Sequence, residues 1–360
     1  MIEKQYTISK AHLAAGQAVD QLRRQLGIVF QEENGKSLGA CPVEGLTEGL
    51  LATLRALPQV RLQLLLTGAR ARSLGLDTKE AKSVRMDAQN LPLSALQALA
   101  DPLAETIPLT GIALLPVTKS YDMLLILAKY ASLLPALLIV ESDALPDDWV
   151  RVAIADVQSY WSAPQFDIVK LAQAALPVEG AEHAKLSCFR QRYGTSVHLA
   201  MIFGDAAADA TPLVRVHSSC ITGDILGSLR CDCGDQLKLA LKQISEAGSG
   251  ILLYLHQEGR GIGIANKLRA YQLQERGVDT YEANLMLGFD EDERDFSIAA
   301  AILKSFGVGS VRLLTNNPHK LAALEKAGIT IAGRVPLVSI TRPHNHAYIQ
   351  AKTQKAGHLF

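Results

Sequence analysis

Cysteine is scarce in this chain. Five in 360 residues are too few for a disulfide scaffold, so thiol chemistry or metal ligation in a reducing compartment is expected. Excess charge of either sign is missing too. Lys plus Arg number 36 and Asp plus Glu 36, so no overall field would hold a nucleic-acid backbone, and anion binding must come from local clustering. There is no basic run and no aromatic stacking strip, which argues against a nucleic-acid binder. Nor is there a clean membrane-length apolar run. The most apolar stretch, Met123 to Val140, contains Lys129, Ser132 and Pro135 and predicts a buried helix followed by a buried strand. Met1 to Lys10 carries Glu3, Lys4 and Lys10 without an apolar core, unlike a signal peptide. A cytoplasmic location is expected. Long-period repeats and low-complexity segments are absent.

What is present is enough chain for two or three domains at 48% hydrophobic content. The pattern predicts a mixed α/β fold in two domains, residues 1–178 and 179–360. In the first, a helix through Val19–Arg24 leads into Gly27–Phe30, and Leu62–Leu66 and Ala136–Val140 read as buried strands. A proline, a glycine and weak periodicity place a linker near Leu176–Ala184. In the second, helices are expected at Asp235–Ser245, Gly263–Arg276, Asp295–Phe306 and Pro318–Ala327, with strands at Gly250–Tyr254 and Ser310–Leu314.

Three of the five cysteines, Cys220, Cys231 and Cys233, fall within fourteen positions. Extended backbone at Cys231-Asp232-Cys233 would send its two sulfurs to opposite sides, so a turn is required there. Three protein ligands with a fourth position for water is the catalytic zinc pattern. His217 as a fourth ligand would make the site structural instead, and three buried thiols without metal is the third reading.

Phosphate-binding chemistry surrounds this cluster. Gln257-Glu258-Gly259-Arg260-Gly261-Ile262-Gly263 follows a predicted strand and opens a helix, with three glycines and a guanidinium fork. It is neither a dinucleotide fingerprint nor a P-loop. Arg294 in Asp292-Glu293-Arg294-Asp295-Phe296 and Lys320 after Thr315-Asn316-Asn317-Pro318 put cations in predicted helix starts, against the dipole. A polyphosphate ligand explains both.

These segments resemble GTP cyclohydrolase II. The resemblance rests on Arg215-Val216-His217-Ser218-Ser219-Cys220, Ser228-Leu229-Arg230-Cys231-Asp232-Cys233-Gly234, Gln257–Gly263, Asn266-Lys267-Leu268-Arg269-Ala270-Tyr271, Glu282-Ala283-Asn284, Leu287-Gly288-Phe289, Asp292–Phe296 and Leu313–Pro318, in order, over about Ala184 to Phe360. It implies hydrolysis of GTP to 2,5-diamino-6-ribosylamino-4(3H)-pyrimidinone 5′-phosphate, formate and pyrophosphate, the committed step of riboflavin synthesis. It implies one catalytic Zn²⁺ per subunit on Cys220, Cys231 and Cys233, and Mg²⁺ with the phosphates. Arg215, Ser218, Gln236, Glu258, Gly259, Arg260, Thr280, Thr315 and Lys320 match GTP contacts. Arg294 matches a proposed nucleophile at the α-phosphate, Asp292 a general base and Tyr271 the tyrosine that assists at the imidazole ring. Ser219 departs from the family's usual glutamate. A homodimer is implied, with neither nucleic acid nor membrane as partner.

The first half faintly resembles 3,4-dihydroxy-2-butanone 4-phosphate synthase through Gln21–Phe30, Pro42–Thr47 and Leu64–Leu76. It lacks that enzyme's histidine, none occurring between His12 and His183, and carries only Glu32 and Glu33 after its first strand. A degenerate, non-catalytic domain is expected. The alternatives are a cyclohydrolase that halts at the formamide and a zinc-containing nucleotide sensor without turnover.

Overall fold

The structure, a computed structural model, describes residues 10–105, 113–162, 168–191 and 194–338. The chain forms two compact units. Met1–Ala163 with Ile262–Glu293 make the first, and Pro164–Gly261 with Arg294–Phe360 the second. Among the described residues no helix is long and apolar enough to cross a membrane.

The first unit is built on a seven-stranded sheet of β1 (Ile28–Gln31), β2 (Ser37–Pro42), β3 (Arg61–Thr67), β4 (Ser83–Asp87), β5 (Leu114–Leu115), β6 (Ala136–Glu141) and β7 (Val150–Ala153), in the order β5-β4-β3-β6-β2-β1-β7. All neighbours are antiparallel except β1 and β7. The central strands are buried on both faces. Leu65, Leu137 and Ile139 pack with Leu22, Leu124 and Leu127 of the helices Lys10–Arg23 and Lys119–Tyr130. Leu64, Leu66, Leu138 and Val140 pack on the opposite side with Leu51, Leu54, Leu96 and Leu99 of the helices Glu48–Arg55 and Leu93–Ala100. Side chains alternate along a strand, so a strand covered on both sides must be apolar throughout. The run Met123–Val140 therefore folds as expected, its apolar excess split between a helix and β6. Thr47 and Thr67 cap the helices that follow them.

The segment Ile262–Glu293 contributes two helices, Gly263–Glu275 and Thr280–Met286. Ile262, Ala270, Leu273, Ala283, Leu287 and Phe289 form a core with Leu134 of the first half. This grouping takes residues that the sequence assigns to the second half and packs them with the first.

The second unit holds β8 (Ile168–Ala175), β9 (Lys185–Gln191), β10 (Val197–Phe203), β11 (Leu213–Ser218), β12 (Gly250–Leu255), β13 (Ser310–Leu314) and β14 (Thr330–Val335), in the order β14-β13-β11-β12-β10-β9-β8. The four strands from β14 to β12 are parallel, and the remainder antiparallel. Here the expected linker is corrected. Residues 176–184 connect β8 to β9, closed by Leu176 N–H to Ala184 O (2.9 Å) and a bridge between Val178 and Ala181. Pro177 and Gly180 marked a hairpin turn, which draws on the same residue types as a linker. The division at residue 178 falls inside that hairpin.

Val214, Val216, Ile251, Leu253 and Leu313 pack against Ile298 and Ile302 of the helix Ser297–Ser305. Leu213, Leu252 and Leu314 pack against Ala240 and Ile244 of the helix Cys233–Glu246. The two-residue period then puts Arg215 and His217 on the face of Leu213, toward the second helix.

His198 on β10 is 1% exposed, its Nδ1 accepts from His256 N–H (3.2 Å), and its Nε2 has no hydrogen-bond partner. Burial first, then His256, push its pKa down from 6.5 to about 4. The folded state thus resists protonation, and stability is lost as pH falls from 6.5 through about 4, on the order of 3 kcal/mol in all. Urea midpoints between pH 7 and pH 5 should fall less steeply in His198→Asn than in the parent, and parallel slopes would refute this coupling.

Candidate metal and phosphate site

The parallel strands deliver their C-terminal ends to one edge of the second sheet, the position where α/β sheets bind ligands. Cys220 follows β11 by two residues and precedes the short helix Ile221–Asp224. Cys233 opens the helix Cys233–Glu246, and Asp232 before it has φ −104° and ψ 12°, away from extended values. That turn is the one the Cys-x-Cys spacing required. The three sulfurs lie within 4.8 Å of one another, with Cys220 Sγ 3.7 Å from Cys231 Sγ.

Sulfurs this close cannot all ionise unaided. The Cys231 thiol is pushed up to about 11, first by its contact with Cys220, and Cys233 is pushed up by Cys220 and Cys231 and then by burial. A divalent cation reverses that preference by deprotonating its thiol ligands. The donor set therefore fits zinc. Gly223 makes room for it: a Cβ there would sit 2.7 Å from Cys231 Sγ and 3.1 Å from Cys220 Sγ.

His217 does not join the cluster. Its Nε2 lies 3.1 Å from both carboxylate oxygens of Asp224, and its ring stacks on Tyr254 at 5.6 Å. Tyr254 Oη donates to Asp224 Oδ2 (3.0 Å), and Cys220 N–H donates to the same oxygen (3.0 Å). Asp224 thereby locks the cysteine corner against β11 and β12. Burial pushes the His217 pKa down. Among the described residues the ligand atoms that lie together are the three sulfurs alone, and His217 Nε2 faces Asp224 instead, while its Nδ1 is buried without a hydrogen-bond partner. Neither Asp224 nor Tyr254 was singled out in the sequence; a carboxylate four residues past a candidate ligand is the one signal available.

Several phosphate-site candidates gather at the same edge. Glu258 Oε2 accepts from Ile221 N–H (2.7 Å) and Oε1 from Gly259 N–H (3.0 Å), tying the turn after β12 to the cysteine corner. Gly259 and Arg260 both have φ 62° and ψ 32°. Left-handed backbone is ordinary for glycine but costly for arginine, a local strain of the kind that collects at functional sites. Ser218 Oγ donates to Gln257 Oε1 (3.4 Å), and Ser219 Oγ accepts from Gln257 N–H (3.1 Å). Gln257 in turn donates to Asp295 O (2.6 Å), joining the strand end to the loop of Arg294.

Arg215 is 5% exposed. It donates to Leu314 O (3.0 Å) and Gln236 Oε1 (2.7 Å), and its Nε is buried without a partner. Burial pushes its pKa down to about 10, so it stays cationic at neutral pH. Gln236 donates onward to Asp232 Oδ2 (2.6 Å), which holds the residue between the two cysteines. Lys320 is buried at the first turn of the helix Pro318–Lys326 and donates to Val216 O (2.8 Å). This carbonyl gives the ammonium a partner that the sequence could not reveal. Lys320 and Arg294 both lie over the Phe296 ring, at 5.3 Å and 5.1 Å. Thr315 Oγ1 accepts from Asn317 N–H (3.0 Å), and Asn317 caps the helix.

Tyr271, Thr280 and Asp292 belong to the first unit. Tyr271 lies on the helix Gly263–Glu275, with Lys267 Nζ 5.8 Å from its ring. Thr280 starts the next helix and accepts from Gln274 Nε2 (3.3 Å).

The sequence profile of GTP cyclohydrolase II matches residues 169–336. A GTP cyclohydrolase-2 of Azospirillum brasilense is 38% identical over 368 residues, spanning 96% of this chain and 95% of its own. A GTP cyclohydrolase-2 of Escherichia coli is 50% identical over 190 residues, which are 53% of this chain and 96% of that one. The riboflavin biosynthesis protein RibBA of Bacillus cytotoxicus is 49% identical over 59% of this chain, and the match spans about half (53%) of that relative.

Metal content tests the geometry directly. Gly223→Ala should leave a folded chain whose zinc, measured by atomic absorption after dialysis, falls well below one per chain. Full occupancy would mean that the sulfurs do not share an ion at this corner.

Proposed function

The chain belongs to the GTP cyclohydrolase II family, and from that premise we propose that it hydrolyses GTP to 2,5-diamino-6-ribosylamino-4(3H)-pyrimidinone 5′-phosphate, formate and pyrophosphate, committing GTP to riboflavin synthesis. The observation that carries this reading is the three-thiol cluster within 4.8 Å, joined by Glu258 to a cation-rich strand edge.

Cys220, Cys231 and Cys233 would hold zinc. When bound, zinc supplies a Lewis acid and an activated water for attack at guanine C8, the imidazole carbon whose hydration opens the ring. Three thiolates donate much charge and soften that activation, so Tyr271 assists with proton transfer at the ring. Glu258 can accept from guanine N1–H and the exocyclic amine, a donor pair that adenine lacks. Its backbone bonds pre-set the carboxylate for that task. Gly259 and Arg260 turn amides and a guanidinium toward phosphate, and Arg294 and Lys320 add charge as pyrophosphate leaves, with Mg²⁺ on the phosphates. The Arg294 guanidinium stays protonated at ordinary pH, so a nucleophilic role needs Asp292 to take its proton. Charge neutralisation needs no such step. Ser218, Thr280 and Thr315 offer hydroxyls, while Arg215 and Gln236 brace the edge from beneath.

The amino-terminal half carries no comparable set. The absence of histidine from residue 13 to residue 182, with only Glu32 and Glu33 after β1, supports a non-catalytic, synthase-like domain.

Purified protein incubated with GTP and Mg²⁺ should release formate and pyrophosphate in equal amounts. Cys231→Ser should lower formate by at least about a hundredfold, the scale of losing a catalytic metal ligand. Arg294→Ala should suppress pyrophosphate release. A product that retains the formyl carbon, found by mass, would replace this reading with a hydrolase that halts at the formamide.

A further inference from the structure

Lys129 interrupts the most apolar run of the chain, in the last turn of the helix Lys119–Tyr130. A cation suits a helix C-terminus, but that alone asks only for a solvated side chain. Lys129 is instead largely buried, with 16% of its side chain exposed. Its ammonium lies 2.6 Å from Glu293 Oε1, 3.0 Å from Asp290 Oδ2 and 6.0 Å from the centre of the Phe289 ring. Glu293 Oε1 also accepts from Asp290 N–H (2.7 Å). The loop Asp290–Glu293 is thus closed on itself and clamped at both ends by one lysine of the amino-terminal half. Asp292 lies inside that loop, and Arg294 follows it directly.

The same segment is gripped upstream. Arg269, two residues before Tyr271, pairs with Glu44 (2.5 Å) and Asp101 (3.4 Å). Glu44 is itself fixed by Leu134 N–H (2.6 Å). Fully buried Asn266 donates to Ser132 O (3.0 Å), and Arg70 donates to Met286 O (3.2 Å). Gly288, at φ +86°, has room for no side chain: a Cβ would meet Pro135 and Thr67 at 2.9 Å. Six polar contacts spread over Asn266 to Glu293 are more than a surface segment needs.

We propose that Lys129 is a positioning residue for the Asp290–Glu293 loop, and that the amino-terminal half serves the reaction by holding the segment that carries Tyr271 and Asp292. This rests on the GTP hydrolysis argued above. Misplacing reacting groups by about 1 Å can cost as much as a hundredfold in rate, so a clamp of this kind matters to turnover while touching no substrate.

The test uses the full chain. Lys129→Met should lower kcat about tenfold or more with little change in KM for GTP, and zinc content should stay at the parent level. Lys129→Arg, which keeps the charge, should recover most of the rate. In both the parent and Lys129→Met, amide hydrogen exchange across residues 289–294 is followed, with faster exchange expected in the variant. Should Lys129→Met not fold, Glu293→Gln, which leaves the lysine in place, must give the same faster exchange and lower kcat. Unchanged exchange in a folded variant of either kind overturns the proposal, as does kcat within twofold of the parent. A parent chain that releases no formate would defeat the GTP reading, and the exchange result would still decide whether Lys129 holds the loop.

Discussion

Three sulfurs held within 4.8 Å set the terms for the second unit. Left as thiols they only crowd one another, and as thiolates they repel, so the corner makes physical sense around a cation. The surrounding groups serve that corner. Asp224 receives the Cys220 amide, the Tyr254 hydroxyl and the His217 ring. Glu258 receives the Ile221 amide, and Gln236 links Arg215 to Asp232 between the other two cysteines. Two carboxylates and an amide thus fix both sides of the thiol cluster to strands whose positions are set by the core.

The sheet explains why charge gathers beside the sulfurs. Three parallel strands end at one edge, and each is followed by a turn or helix start: Cys220 after β11, Glu258 after β12, Thr315 after β13. Such ends expose unpaired amides and favour anions. Arg215 and Lys320 then add buried cations, which donate to the carbonyls of Leu314 and Val216. Carbonyl partners satisfy donors without cancelling positive charge.

Much of this was legible beforehand. The Cys231-Asp232-Cys233 turn followed from strand geometry, the helix opening at Pro318 from residue type, and the buried β6 from its unbroken apolar run. Local chemistry read locally succeeded. The failures were non-local. Pro177 and Gly180 announced a break without saying whether it joined domains or strands, because both use the same turn residues. His217 as a fourth ligand was one of three readings that spacing left open, and a carboxylate seven residues away faces its Nε2. Lys320 opposes the helix dipole in sequence, and the Val216 carbonyl that its ammonium meets lies more than a hundred residues distant.

The sequence by itself determined the chemistry: which residues could hold a metal, which turns could receive phosphate, and the α/β alternation, since each depends on residue type and short spacing. Only the tertiary structure decided allegiance. It drew Ile262–Glu293 into the core of the first unit, where Leu134, Glu44 and Lys129 meet it. No local pattern encodes that choice, because a helix shows which face is apolar but not which distant surface will cover it.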